Sequence, residues 1–433
     1  MQDQAGRSGT ITLIALTLVG TLNFVDRQIL SVLVEPIKQE LHFSDTEFGL
    51  LTGLAFSLFY ALFGLPAAVI ADRGKRVRVV ALACAIWSGF TAFTGSVHGF
   101  AAMAFARFGV GVGEEGGTDP SISVLSDSFR REQRPLVIGL FTLNGPIGVF
   151  VGAAFGGWAA THIGWRGAFY TLGAIGLVAA PLLFLLVPEP RRGQFDDAPI
   201  PTEAAQAPAS MWGTIRFFFT DPSLRLLALA SGLSAFLSYG MLNWIPAYLM
   251  RVQQMPLTAV ASWFAIAAGA TMGAGMVGGG ALVNAAVRRS ARGYATVPGY
   301  ATLLLVPIFG LSLIVDGWGL SLALMLVPMA CCTVFTPASL ALAQELGPRN
   351  ARATVAATLL LMFNIAGLGL GPLFVGVVSD ALTTSMGVQG LRTGLLLLLV
   401  PGILAVFVYL RLANRLGKQA GTPKPIGPEV AGA

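Results

Sequence analysis

The sequence predicts an all-α integral membrane protein with twelve transmembrane helices in two pseudo-symmetric bundles of six. Of its 433 residues, 55% are hydrophobic and only 11% are charged, whereas soluble domains carry about 25% charged residues. The apolar residues fall in long uninterrupted runs, which are typical of membrane spans rather than of buried core helices. The net charge of +6 gathers in short loops between these runs, so it indicates membrane topology and not a nucleic-acid partner.

Twelve runs are long enough to be candidate spans. We interpret the first as a mature helix and not as a signal peptide, because it is too long and lacks a small-residue cleavage site. The approximate limits of the predicted spans are 11–34, 48–71, 79–97, 101–125, 136–161, 168–187, 223–250, 258–283, 297–315, 320–344, 353–378 and 390–412.

Alternate loops between the spans are rich in Lys and Arg. Cytoplasmic loops carry such an excess, so the sequence predicts an even number of spans with both termini cytoplasmic, in the plasma (inner) membrane. The basic loops hold Arg73, Lys75, Arg76 and Arg78, then Arg130, Arg131 and Arg134, then Arg191 and Arg192, then Arg288, Arg289 and Arg292, and finally Arg349 and Arg352.

A polar stretch rich in Pro, Ala and acidic residues, 193–209, follows the sixth span. We therefore predict an N-terminal six-helix bundle over 1–190, a cytoplasmic linker over 191–220, and a C-terminal six-helix bundle with its tail over 221–433. Within the linker, 211–220 is either a short amphipathic helix at the membrane interface or the start of the seventh span. Weak repetition of two six-span halves is typical of a secondary transporter whose substrate site lies between the halves at mid-membrane.

The first span contains an adjacent acid and base, Asp26 and Arg27. Charge at this depth costs roughly 2.5–3.5 kcal/mol per residue and marks a functional site by default; the alternative is a structural ion pair. In the fourth span, Arg107 and Glu114 are seven residues apart, which is two turns or about 10 Å along one helix face. We expect Asp26 to face the fourth span and to form a charged cluster with Arg107 and Glu114.

This cluster suggests both a proton path and a substrate contact. Asp26 and Glu114 are candidate proton carriers, with Arg107 coupled to them. Arg27 and Arg107 are candidates for binding an anionic head group, because a guanidinium suits phosphate or carboxylate; alternatively, Arg107 only neutralises the acids. Further substrate contacts are expected from residues of the first span and of the nearly uncharged second half: Asn23, Tyr239, Asn243, Trp244, Phe363 and Asn364.

The composition of these walls favours an amphiphile, since an apolar wall would stand opposite a charged one. Small residues on the fourth span let a neighbouring helix or a lipid chain approach closely; they are Gly109, Gly111, Gly113, Gly116 and Gly117.

The remaining reactive residues indicate no enzyme, metal site or disulfide framework. Cys84, Cys331 and Cys332 lie within apolar runs, and the three histidines are far apart. No nucleophile with a base is visible. We expect a monomer that works without cofactor or metal, and whose partners are an amphipathic small molecule, protons and the bilayer, with no nucleic acid.

Three features of the sequence resemble the major facilitator superfamily. They are the six plus six spans, the loop motif Asp72-Arg73, and the entry to the sixth span, Trp165-Arg166-Gly167-Ala168-Phe169. The segments Leu22-Asn23-Phe24-Val25-Asp26-Arg27 and Ala106-Arg107-Phe108-Gly109-Val110-Gly111-Val112-Gly113-Glu114 are similar to those of its spinster family of lysolipid and sphingolipid transporters. This chain departs from the usual pattern at Ala68, Lys75, Asn284 and Glu115.

The resemblance implies a proton-coupled secondary active transporter of amphipathic lipids, such as lysophospholipids or sphingosine-phosphate-like molecules, that works by alternating access. It also implies that Asp72, Arg73, Arg76 and Arg134 belong to a cytoplasmic gate. The principal alternative is a proton-coupled organic-anion or drug transporter of the same superfamily, because Gly145-Pro146-Ile147-Gly148 partly resembles the antiporter motif of drug exporters. A lipid-modifying enzyme and a passive scramblase or channel are further alternatives.

Overall fold

The computed structural model describes residues 2–58, 74–195, 211–348 and 351–421. These residues form helices joined by short loops. In chain order they are α1 (Gln2–Val32), α2 (Val34–Leu41), α3 (Asp45–Thr52), α4 (Arg76–Thr94), α5 (Phe100–Ser128), α6 (Arg134–Thr142), α7 (Asn144–His162), α8 (Gly164–Leu186), α9 (Met211–Thr220), α10 (Pro222–Arg251), α11 (Ala265–Val287), α12 (Gly293–Ile314), α13 (Trp318–Cys331), α14 (Phe335–Leu346), α15 (Arg352–Met362), α16 (Leu370–Met386), α17 (Gln389–Leu397) and α18 (Leu399–Gly421).

Two π-helical segments interrupt this series. Val260–Phe264 leads directly into α11, and Phe363–Gly369 joins α15 to α16. Such turns occur often at functional sites.

Within the described residues, ten helical segments are long and apolar enough to cross a membrane. The predicted fourth span is also present, as the 29-residue helix α5, whose hydropathy is lowered by Arg107, Glu114, Glu115 and Asp119. The predicted second span begins with α3, and most of the rest, residues 59–71, lies outside the described part of the chain. The all-helical membrane fold is therefore confirmed.

Local sequence signals explain several helix ends. Ser44 caps α3 in a capping box with Glu47, and Asp221 accepts hydrogen bonds from two backbone N–H groups at the start of α10. The break between α1 and α2 follows from Pro36, which lacks an N–H group and whose ring would clash with the carbonyl of Val32. Each signal fixes where a span begins or ends.

The loops alternate between two sides of the molecule. The terminal side holds both chain ends and the loops around residues 129–133, 187–193 and 288–292; the latch side holds the loops around 42–44, 95–99, 252–256, 315–317 and 387–388. We call residues 2–195 the first half and residues 211–421 the second half.

Glycine sets the distance between α5 and α4. A Cβ on Gly113 would lie 2.6 Å from the backbone nitrogen of Trp87, and one on Gly109 would overlap the ring of Phe90. The glycine face predicted on the fourth span therefore packs against a neighbouring helix, which leaves the opposite faces of α5 for Arg107 and Glu114.

Among the described residues, two seams of close packing join the halves. In the first seam, α7 packs against the Val260–Phe264 segment and α11, where a Cβ on Gly157 would lie 2.5 Å from the Cβ of Ala261. In the second seam, α3 packs against the Phe363–Gly369 segment and α16, where a Cβ on Gly53 would lie 2.5 Å from the carbonyl oxygen of Gly369. At both seams the backbones of two helical segments approach closely, because the residue of the first half at the contact is a glycine, which has no side chain.

Helix α9 is separate from the span that follows it. It ends at Thr220, and Asp221 then caps α10. Phe218 is fully buried, whereas Trp212 is 74% exposed. Met211–Thr220 is therefore an amphipathic helix and not the start of the seventh span. Residues 196–210 of the predicted linker lie outside the described part of the chain.

Candidate functional site

Two buried ion pairs join α1 to α5. Arg107 Nη1 lies 3.3 Å from Asp26 Oδ2, and Arg27 Nε lies 2.6 Å from Glu114 Oε2. Adjacent helix residues point about 100° apart, so Asp26 and Arg27 reach two different positions on the facing helix. The side chains of Asp26, Arg107 and Glu114 are almost wholly buried, and that of Arg27 is 23% exposed.

The predicted charged cluster is thus present, but its pairing differs from our expectation in one respect. Arg107 contacts Asp26 as predicted, whereas the direct partner of Glu114 is Arg27. We had assigned Arg27 to the substrate alone. In this conformation Arg27, whose guanidinium is the most accessible in the cluster, is held by Glu114, whose carboxylate is the most deeply buried.

The two carboxylates differ in how fully they are bonded. Asp26 accepts from Arg107 through Oδ2 and from the Thr91 hydroxyl through Oδ1, at 2.9 Å. Glu114 accepts from Arg27 through Oε2, while its Oε1 is buried without a hydrogen-bond partner among the described residues. Glu114 therefore has an oxygen that a proton could occupy without displacing an existing bond.

Phe56 separates the two ion pairs. Its ring centroid lies 4.8 Å from the guanidinium carbon of Arg27 and 5.1 Å from that of Arg107. Cations at this distance from an aromatic face are stabilised by the ring quadrupole. Sequence reasoning missed both Phe56 and Thr91, because neither a phenylalanine nor a threonine inside an apolar run is distinctive.

Two of the predicted residues of the second half face the first half. Tyr239 is partly buried and lies on α10, which packs against α1. Asn243 Oδ1 accepts a hydrogen bond from the Thr52 hydroxyl at 3.2 Å. Tyr239 and Asn243 therefore stand opposite the charged cluster, on α10.

Three other predicted residues have different surroundings. Trp244 is fully buried, donates from Nε1 to the carbonyl oxygen of Pro372 at 2.9 Å, and packs its ring on Phe48. Trp244 therefore remains a predicted substrate contact, and in this conformation its ring is covered by protein. Phe363 is 5% exposed and packs edge-to-face on Phe335 in the core of the second half. Asn364, in the same π-helical segment, is partly exposed.

Asn23 lies on α1, one turn from the cluster, and is nearly buried at 6% exposure. Its position agrees with the predicted wall of the first span, next to Asp26 and Arg27.

The predicted gate residues give a mixed result. Asp72 and Arg73 lie outside the described residues. Arg76 is buried and forms ion pairs with Asp127 and, at 3.1 Å, with Glu189. Both partners belong to the first half, so Arg76 holds the ends of α5 and α8 to the start of α4 and does not reach the second half. Arg134 donates to the carbonyl oxygen of its near neighbour Phe129 at 3.3 Å.

An ion-pair network closes the latch side between the halves, and it was not predicted. Arg251 of α10 binds Asp45 of α3 through both terminal nitrogens, at 2.7 Å and 3.0 Å, and also contacts Glu35 at 2.7 Å. The Ser379 hydroxyl donates to Asp45 at 2.6 Å, and Lys38 pairs with Asp45 as well. We call these residues, together with Asp380, the latch.

Asp380 completes the latch from the second half. Its carboxylate accepts hydrogen bonds from the backbone N–H groups of Asp45 and Thr46. These donors lie at the start of α3, where N–H groups have no partner within the helix itself. Burial by itself would raise the pKa of the Asp45 carboxyl, but the hydrogen bonds and charge of Arg251, with that of Lys38, outweigh burial and lower the pKa to about 2. The Asp45 carboxyl is therefore charged at neutral pH.

The Trp165-Arg166 motif stabilises the latch side within the first half. Glu40 accepts from the indole N–H of Trp165 at 2.6 Å and from Arg166 at 2.8 Å. The hydrogen bond from Trp165, followed by those from Arg166, lowers the pKa of Glu40. Arg166 also donates to the carbonyl oxygens of Gly95 and Val97, so this motif ties the start of α8 to α2 and to the loop that follows α4.

Nothing in the described ranges groups three or more His, Cys, Asp or Glu side chains closely enough to hold a metal ion. The chemistry that the site offers is that of paired charges: a proton or an anion can exchange with one member of each pair.

Comparisons with known proteins identify the family of the chain. The family model of the Major Facilitator Superfamily matches residues 16–372. An MFS-type efflux pump of Mycolicibacterium smegmatis is 33% identical over 384 residues, which are 88% of this chain and 87% of that protein. A hexuronate transporter of Bacillus subtilis is 26% identical over 416 residues, which are 94% of this chain and 95% of that protein.

A solved structure is similar over nearly the whole chain. It is the crystal structure of a bacterial homologue of the human lysosomal transporter Spinster, in an inward-facing and unoccupied conformation, with a TM-score of 0.85, 28% identity, and coverage of 95% of this chain and 98% of that one. The helices, the seams and the family match lead to one conclusion. The chain is a multi-pass membrane transporter, not an enzyme, and it belongs to the Major Facilitator Superfamily, with a spinster homologue as a structural relative.

Proposed function

We propose that this protein is a proton-coupled secondary active transporter of amphipathic lipids with an anionic head group. The observation that supports it is the pair formed by Arg27 and Glu114. The accessible guanidinium is neutralised by a fully buried carboxylate, so an anion can bind Arg27 at full strength only after Glu114 gives up its charge.

Protonation of Glu114 provides that change. A proton on Glu114 removes the carboxylate charge that Arg27 faces, and a phosphate or carboxylate head group then becomes a more favoured partner of Arg27. Proton and anionic substrate thus bind cooperatively, which is the requirement for symport. Asp26, whose two oxygens are bonded to Arg107 and Thr91, takes part as the second acid of the cluster.

The opposite wall favours a substrate with one long apolar chain. Tyr239, Asn243 and Asn364 of the second half bring an aromatic ring and amides but no charge. Each methylene removed from water contributes about 0.8 kcal/mol, so a chain shortened by four carbons should bind about a hundredfold more weakly.

A proton-coupled organic-anion or drug transporter is the second candidate. The efflux pump and the hexuronate transporter among its relatives favour this function, and the same Arg27–Glu114 pair would serve a soluble anion. The two candidates differ in how affinity depends on the apolar chain.

The decisive experiment uses the purified chain in liposomes with an imposed proton gradient. Uptake and binding are measured for a series of lysophospholipids that differ only in chain length, and for a hexuronate. We expect uptake to need the proton gradient and affinity to fall steeply with each methylene removed. Affinity that is independent of chain length, with hexuronate uptake, would establish the organic-anion alternative.

We further propose the topology and the facing state. The latch joins the halves on one side, and the structural relative is inward-facing; both support a cavity open to the cytoplasm, with the latch side extracellular and the terminal side, with both termini, cytoplasmic. The positive charges of the terminal side support this orientation in the plasma membrane. Bundles over 1–190 and 221–433, joined by 191–220, would rock against each other as a monomer.

The orientation can be tested with single cysteines in a background that lacks native thiols. Ser290→Cys lies in a loop of the terminal side, and Asp316→Cys lies in a loop of the latch side; both positions are exposed. A membrane-impermeant thiol reagent should label only Asp316→Cys in intact cells. Labelling of Ser290→Cys alone would invert the proposed topology.

A further inference from the structure

A groove of about 570 Å³ lies on the outer surface of the first half, at the terminal side. It is formed where α4 begins and α8 ends, next to the start of α1. Helices α4 and α8 pack on α1, α5 and α7, so their remaining faces are turned towards the bilayer. None of the residues that line the groove belongs to the charged cluster or to either seam.

The groove combines positive charge with apolar surface. Lys75 and Arg78 line it and are exposed. Its apolar lining includes Leu185, which is 74% exposed, and Phe184, on whose ring the Arg78 guanidinium lies at 5.5 Å from the centroid. Charge at the mouth and exposed apolar side chains below it match the two ends of a phospholipid.

Among the described residues that line the groove, the acid is Glu189, and it does not cancel this charge. Glu189 forms an ion pair with the buried Arg76 and accepts a hydrogen bond from the backbone N–H of Val77 at 2.9 Å. Its carboxylate is therefore already engaged inside the protein. Nearby, Arg192 donates to the carbonyl oxygen of Gly74, which adds a third cation beside Lys75.

We propose that this groove is a binding site for an anionic phospholipid of the surrounding bilayer. The phosphate lies between Lys75 and Arg78, and an acyl chain follows Phe184 and Leu185 along α8. Basic pockets between membrane helices recognise anionic head groups in this way, and each Lys or Arg near the surface contributes about 1 kcal/mol. The lipid would be a structural ligand of the first half, distinct from the transported substrate.

The test measures lipid binding by the purified full chain in detergent, without transport. Dioleoylphosphatidylglycerol, dioleoylphosphatidylcholine and glycerol phosphate are titrated separately, and bound lipid is counted by native mass spectrometry alongside the midpoint of thermal unfolding. We expect retention and stabilisation with phosphatidylglycerol only. Equal effects of phosphatidylcholine would overturn the preference for an anionic head group. Equal effects of glycerol phosphate would show that the groove binds a phosphate alone and needs no acyl chain.

Two sets of variants assign the effect to the groove. Lys75→Gln with Arg78→Gln should weaken phosphatidylglycerol binding about thirtyfold. Arg288→Gln with Arg289→Gln removes the same charge from exposed positions on the same side and should leave binding unchanged. Lys75→Gln alone tests the site without disturbing the Arg78–Phe184 contact, because the Lys75 side chain forms no hydrogen bond or ion pair within the described residues. This single variant should weaken phosphatidylglycerol binding about fivefold. Wild-type affinity in these variants, or an equal loss in the control, contradicts the proposal.

Discussion

Asp380 in α16 accepts a hydrogen bond from the backbone N–H of Asp45 at 2.9 Å, so a side chain of the second half completes the first turn of a helix of the first half. The neighbouring N–H of Thr46 donates to the same carboxylate. Helix starts carry partial positive charge and unpaired donors, and here the carboxylate that satisfies them comes from across the contact between the halves. Opening the latch side would therefore expose the start of α3 as well as breaking ion pairs.

The first prediction concerns this contact. Asp380→Ala removes two charge-assisted hydrogen bonds, worth about 1.5–3 kcal/mol each before water replaces them. We expect the net loss to shift the equilibrium towards opening of the latch side by about tenfold or more. Spin labels at Gln39→Cys and Val388→Cys, exposed positions on that side in opposite halves, should show a larger population at long distance.

Asp316→Ala is the matched control for the latch. It removes an exposed acid of the second half from the same side and should leave the distance distribution as in the wild type. An Asp380→Ala distribution that equals the control would show that the latch does not hold the halves together.

The second prediction concerns pH. The pKa of Asp45 is about 2 in the closed latch, below its ordinary value of 3.8. A lowered pKa stabilises the closed form above pH 4, and this contribution is lost only as the pH falls through 4 towards 2. The Gln39–Val388 distances should thus stay constant from pH 8 to pH 5. A widening of the latch side near pH 6 would contradict this account.

The third prediction separates the two acids of the cluster. Glu114→Gln removes the carboxylate charge that faces Arg27 at every pH. Anionic head groups should therefore bind at least tenfold more tightly at neutral pH, and their affinity should no longer depend on pH. Uptake driven by a pH gradient should be abolished. Glu132→Gln, an exposed acid of the first half, should behave as the wild type. Asp26→Asn should also impair coupling, but without the gain in binding, because Arg107 is nearly buried.

Binding and liposome uptake measured on the same preparations decide this prediction. Weaker binding of anionic heads by Glu114→Gln would show that the carboxylate does not compete with the substrate for Arg27. Retained pH dependence of uptake in that variant would place the coupling proton on another group.

The fourth prediction tests the packing of α5. Gly113→Ala would put a Cβ 2.6 Å from the backbone nitrogen of Trp87, and backbone cannot move aside as a flexible side chain can. Such overpacking costs about 1–3 kcal/mol, so the unfolding midpoint in detergent should fall. Gly139→Ala in α6 meets nothing within 4 Å and should be neutral or slightly stabilising. Equal midpoints for the two variants would refute the close contact.

The charged cluster could be predicted because its information is local. The seven-residue spacing of Arg107 and Glu114 places both on one helix face, and two charges in the first span need partners inside the protein. The exact pairing could not be predicted, because whether Arg27 or Arg107 meets Glu114 depends on the tilt of α1 against α5. Phe56 is one of 28 phenylalanines, and only the folded chain selects it.

The latch lay beyond sequence reasoning for a different reason. Asp45 and Arg251 are 206 positions apart, and Asp45 and Asp380 are 335 apart, so no spacing connects them. Arg251 stood out in the sequence only as a basic residue on the side with few. Conversely, the family resemblance places Arg76 in a cytoplasmic gate, and only the structure shows that its side chain turns inwards to Asp127 and Glu189 of the first half.

The π-helical segments have a mechanical consequence. Val260–Phe264 and Phe363–Gly369 each lie at one of the two seams. A π turn holds one residue more than an α turn, and moving this surplus residue along the helix rotates the intervening side chains while both helix ends stay in place. We therefore expect each seam to contain a point at which side chains of the second half can turn without any lengthening of the connecting loops, as a change of facing state would require.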